Sequence, residues 1–116
     1  GRGVRRVRTP VVSNCVELTG RLVDAAELRH SPAGVPIARA LLEHDSEQRE
    51  AGARRPIRFR VGLNAAGAGV AETLGALGVG EPIRVQGILR RSRQRNAETD
   101  PIIISVNRIE RLAETE

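Results

Sequence analysis

Apolar residues alternate along several short stretches of this chain, and a period of two predicts β-strands. Val16-Glu17-Leu18-Thr19-Gly20-Arg21-Leu22 sets its apolar residues on one face, and Ile83-Arg84-Val85-Gln86-Gly87-Ile88-Leu89 is a near copy of it. Each copy carries an internal glycine (Gly20, Gly87), where a strand usually bulges or bends. A second strand is expected over Val35 to His44, opened by the turn Ser31-Pro32-Ala33-Gly34. Its alternation is poor, with Ala38, Ala40 and Leu42 opposite Arg39, Leu41 and Glu43. Asp45 to Arg55 reads as a polar loop. In the third strand Ile57, Phe59, Val61 and Leu63 point one way, toward a core, and Arg58 and Arg60 the other. Val70, Leu74 and Leu77 recur at helical spacing, but Gly75 and Gly78 keep that helix short. Arg91 to Pro101 is polar, and a last strand follows from Ile102 to Leu112.

Three strands, a short helical link and two more strands make an all-β chain. The order predicts a five-stranded OB-fold Greek-key barrel, with the helix between strands three and four. Short closed barrels need bent strands, which gives Gly20 and Gly87 a purpose. Five short strands and one helix cannot build a parallel sheet of strand–helix–strand units.

At 116 residues the chain has the size of one domain, and its 40% apolar content is enough for a small core. No apolar run is long enough to cross a bilayer. One cysteine, Cys15, excludes an intrachain disulfide and fits a reducing cytoplasm. The formal net charge is +5, all 19 basic residues are arginine, and Phe59 is the only aromatic residue. Residues 1–13 hold Arg2, Arg5, Arg6 and Arg8 without an acid, so 15 arginines face 14 acids in residues 14–116. The expected division is therefore a basic, disordered tail over 1–13 and a folded domain over 14–116. That tail, which begins at Gly1 without an initiator Met, reads as a nucleic-acid-binding arm or as a remnant of expression or reading frame.

Two windows of the body stay basic. Arg49, Arg54, Arg55, Arg58 and Arg60 are opposed in sequence only by Glu50, and Arg84, Arg90, Arg91, Arg93 and Arg95 by no acid. A single charge run is ordinarily a solvated surface, whereas two runs converging on one barrel face make a nucleic-acid site. Arg58 and Arg60 alternate outward from one strand, and Arg93 and Arg95 lie in the loop that can reach over it. Arg90 and Arg91 are further candidates, with strand alternation turning one of the two inward.

Enzyme chemistry finds no footing. Gly67-Ala68-Gly69-Val70-Ala71-Glu72 has the look of a dinucleotide loop, but a third small residue is required where Glu72 stands. Cys15, His30 and His44 are isolated from one another, which supports neither a zinc site nor a Cys–His nucleophile. Neither a metal nor a cofactor is expected.

Asn14-Cys15-Val16-Glu17-Leu18-Thr19-Gly20, Ser31-Pro32-Ala33-Gly34-Val35-Pro36, Leu42-Glu43-His44, Glu50-Ala51-Gly52 and Ile83-Arg84-Val85-Gln86-Gly87 follow one another in order across residues 14 to 112. In that combination they resemble the primosomal replication protein N (PriB) family of single-stranded-DNA-binding OB-folds. The resemblance implies a homodimer that binds single-stranded DNA, sits with the bacterial nucleoid, and contacts the primosomal helicase PriA and the loading factor DnaT during replication restart. It also carries DNA contacts over to Arg29 in the first loop and to Arg93 and Arg95 in the later one. The family's strand-three aromatic falls at Arg58, and two of its basic positions fall at Asp45 and Asp100. Without an aromatic platform, binding is expected to run through arginine–phosphate contacts, with guanidinium planes stacking on bases. Two alternatives remain: a primosomal protein-interaction adaptor with weak or lost DNA binding, and an OB-fold RNA-binding module.

Overall fold

A closed barrel solves the problem posed by strands that are apolar on one face only: every such face turns inward. The computed structural model describes residues 11–93 and 102–113. They form β1 (Val16–Leu22), β2 (Glu27–His30), β3 (Pro36–Glu50), β4 (Ala53–Ala66), α1 (Val70–Ala76), β5 (Pro82–Arg91) and β6 (Ile102–Arg111). β1 pairs antiparallel with β5, β5 with β6 and β3 with β4, while β4 and β6 run parallel. β3 returns to β1 at Arg21↔Glu43 and Leu22↔Leu42, which closes a ring of five strands. β2 adds a short flap on the first residues of β3, Pro36 to Arg39.

Leu42, Leu74, Ile83, Val85 and Ile104 are fully buried inside the ring, and each contributes about 1.5–3 kcal/mol by leaving water. α1 closes one end of the barrel with Ala71 and Leu74, and Leu77 is buried just past it. The Gly69 N–H donates to the Glu72 carboxylate at 3.4 Å, so Glu72 folds back over the helix start. The barrel, its strand order and the short helix agree with the pattern of the sequence.

The largest difference lies between β3 and β4. The expected polar loop over Asp45 to Arg55 is instead a continuous hairpin, paired residue by residue from Ile37↔Ala66 to Glu50↔Ala53. Its outer half extends past the barrel, and from Asp45 to Arg58 only Ser46 and Ile57 are even half-buried, so Asp45 to Arg55 carries no apolar alternation from which a strand can be read. For the same reason Phe59 misses the core: it is 42% exposed and packs on His44, ring centroids 5.1 Å apart. β2 was not expected either, because Leu28 is its only apolar residue.

The hairpin turns on Ala51 and Gly52, with φ of 53° and 80°. Two successive positive φ values match the twist of the flanking strands, and Asn-Gly is the pair that best tolerates them. Ala51 sits there against its own preference. Ala51→Asn is expected to stabilise the protein by about 0.5–1 kcal/mol, a rise of roughly 2–6 °C in Tm by thermal denaturation.

Candidate nucleic-acid interface

Register across the sheet, rather than position in the chain, decides which side chains meet. On the outer face of the barrel Glu27, Arg39, Asn64 and Ser105 form one row across β2, β3, β4 and β6. The next row runs Leu41, Gly62, Ile103 and Arg90 across β3, β4, β6 and β5. Beyond these the hairpin continues the same face with Glu43 opposite Arg60 and Asp45 opposite Arg58. A groove of about 610 Å³ lies over the first two rows, and Arg93 with Ser92 borders it past the end of β5. Asp24 and Glu27 stand on its other side.

The two halves of this face differ in charge. Along the hairpin every arginine of the pairs has an acid at hand: Arg58 Nη2 donates to Asp45 Oδ2 at 2.8 Å, and Arg60 Nε lies 3.4 Å from Glu43 Oε2. Arg54 meets Glu47 at 2.9 Å and Arg55 meets Glu50 at 3.6 Å. The hydrogen bond to Asp45, and then the charges of Asp45 and Glu43, raise the Arg58 pKa above its ordinary value. Over the groove, by contrast, Arg39, Arg90 and Arg93 have no carboxylate within 4.0 Å among the described residues, and Arg29 has none either. Arg90 Nη1 donates to the Arg91 carbonyl oxygen at 3.2 Å.

The residues singled out from sequence separate accordingly. Arg90 and Arg93 border the groove, and Arg29 is exposed on β2 opposite Ile37, a groove residue. Arg58 and Arg60 share the face but are paired with acids. Arg91, opposite Ile102 at the end of β5, alternates to the other face. Arg95 and Asp100 lie outside the described residues, as do residues 1–10 of the expected tail. Arg39, which the sequence reading leaves out, stands half-buried in the groove. Its signal was the broken alternation of the second strand, where Arg39 and Leu41 share a face. His44, isolated in sequence, is structural: its Nδ1–H donates to the Thr19 carbonyl at 2.8 Å and its Nε2 lies 2.7 Å from Ser46 Oγ.

Comparison with known proteins decides the lineage. A model described as another single-strand binding protein family matches residues 14–104. The replication restart protein PriB of Bordetella pertussis is 36% identical over 81 residues, 70% of this chain and 75% of that protein. The chain belongs to the PriB family. PriB of Proteus mirabilis is 31% identical over 86 residues, 74% of this chain and 82% of that one. The solved PriB from Ralstonia solanacearum superposes with a TM-score of 0.73 at 26% identity, covering 86% of this chain and 98% of its own. The single-stranded DNA binding protein from Thermus aquaticus gives a TM-score of 0.71 at 26% identity over 87% of this chain and 50% of its own. Asp45 and Arg58, expected from the resemblance to fall at a basic and an aromatic position, bind each other. Among the described residues no helix is long and apolar enough to cross a membrane.

Proposed function

We propose that the protein is a non-enzymatic accessory factor of replication restart that binds single-stranded DNA through the groove face. Arg29, Arg39, Arg90 and Arg93 contact phosphates there. The carrying observation is the contrast on one face: a groove bordered by arginines without a carboxylate in ion-pair contact, beside a hairpin on which Arg54, Arg55, Arg58 and Arg60 are each paired with an acid. Guanidinium groups neutralise phosphates and also lie flat against bases, so the groove does not need the family aromatic. As in the family, the active form is a homodimer that works beside the nucleoid and bridges the helicase PriA and the loading factor DnaT. A second reading, an adaptor with weak DNA binding, draws support from the four ion pairs along the hairpin.

Anisotropy of labelled oligonucleotides across a salt series separates the two. Four arginine–phosphate contacts predict a log–log slope near −3, from about −0.7 per phosphate on single strands. Residues 14–116 alone are expected to keep that slope. A slope near zero, with retained capture of PriA, establishes the adaptor instead, and loss of binding on removal of residues 1–13 assigns it to the tail.

A further inference from the structure

Between the polar row of Arg39, Asn64 and Ser105 and the neutralised hairpin lies an apolar strip that phosphate contacts leave unused. Leu41, Gly62 and Ile103 are neighbours across three strands, all half-buried, all bordering the groove. A Cβ placed on Gly62 would come within 3.0 Å of Ile103 Cγ2. Glycine therefore lets Ile103 lie across the β4 backbone, so the strip is a flat floor instead of a ridge. Two strand spacings, about 9.5 Å, separate Leu41 from Ile103, which leaves room for one base. Arg90 stands at the end of this row, and Arg39 at the start of the next.

We infer that this floor receives one base of the bound strand, laid on Ile103 and Leu41 over Gly62. The inference rests on the reading that the chain binds single-stranded DNA, and it adds where the base goes. Phosphates on either side meet Arg39 and Arg90, while Asn64 and Ser105 face the base edge. Each of those two side chains offers a donor and an acceptor, so any base finds a partner and no sequence is selected. Aliphatic carbon and guanidinium planes thus take over the stacking that other single-strand binders give to aromatic rings. The single phenylalanine is not the platform, because Phe59 packs on His44 on the opposite side of the hairpin from Arg58.

The test compares a labelled thymidine oligonucleotide with an abasic chain of equal length, by anisotropy with the full-length protein at fixed salt. The wild type is expected to bind the thymidine oligonucleotide about tenfold more tightly, the lower end of what one base stack contributes. Gly62→Val raises a ridge through the floor, and Ile103→Ser removes its apolar surface. Both are expected to bring the ratio toward one while abasic binding stays within about twofold. Arg39→Ala is expected to weaken both oligonucleotides equally. Melting curves check that each variant is folded, and Ile103→Ser decides the matter if Gly62→Val is not. An unchanged ratio in the folded variants overturns the base site and leaves DNA binding standing. Failure of the wild type to bind either oligonucleotide overturns both.

Discussion

Glu43→Gln combined with Asp45→Asn is expected to tighten single-stranded DNA binding about tenfold at low salt. The reason lies in the register of the β3–β4 hairpin. Glu43 is directly opposite Arg60 and Asp45 directly opposite Arg58, so each acid holds one guanidinium on the face that continues the groove. An exposed ion pair of this kind contributes about 0.2–1 kcal/mol, so the two amides leave the fold intact. The released arginines would extend the row of cations from Arg39 and Arg90 along the hairpin. Two added arginine–phosphate contacts of about 0.7 kcal/mol each give the tenfold factor. They should also steepen the log–log salt slope by about 1.4, from roughly −0.7 per phosphate. An affinity and slope equal to wild type, measured by anisotropy in the same salt series, would show that the strand does not cross the hairpin. Single substitutions divide the effect, since Asp45→Asn frees only Arg58.

How much of this was legible beforehand depends on whether burial left a trace in the chain. β1, β5 and β6 each turn one face to the core, so their apolar residues alternate and their limits were readable to within a few residues. α1 was readable because Leu74 and Leu77 must reach the same core. The hairpin beyond His44 buries little, only Ser46 and Ile57 in part, and backbone pairing leaves no mark on composition; a loop and an exposed ladder look alike. The charge reading failed with it. Arg54, Arg55, Arg58 and Arg60 faced only Glu50 along the chain, but reversal at Ala51–Gly52 brings Glu43, Asp45 and Glu47 beside them. The groove was half legible. Arg90 and Arg93 stood in an acid-free window, whereas Arg39, Asn64 and Ser105 come from distant segments and meet only through strand register.

The features most visible in the sequence, the glycines repeated in the two near-copy strands, lead to the largest expected loss of stability. A Cβ at Gly87 would collide with the Ser105 carbonyl oxygen and come within 3.0 Å of Val106 Cα. These are backbone atoms of the neighbouring strand and cannot swing aside. The register between β5 and β6 shifts at this point, from Gln86↔Arg108 to Gly87↔Val106, so Asn107 is the extra residue and the glycine lies opposite a bulge in β6. Gly20 has the matching role in β1: a Cβ there would strike the Glu43 carbonyl oxygen, next to the pairing that closes the ring. Gly87→Ala and Gly20→Ala are each expected to cost about 3 kcal/mol or more, lowering Tm by roughly 12 °C or more. Gly78→Ala is the control, because its Cβ would meet only the flexible Glu81 carboxylate at 3.8 Å. That substitution should be neutral or add up to about 1 kcal/mol through the unfolded chain. If Gly87→Ala and Gly78→Ala melted together, the close approach of β5 and β6 would not be what requires glycine, and the bend would have to arise elsewhere. If they separate as expected, closure of the barrel rests on two positions without side chains, and the groove rows that depend on that closure are lost with either one.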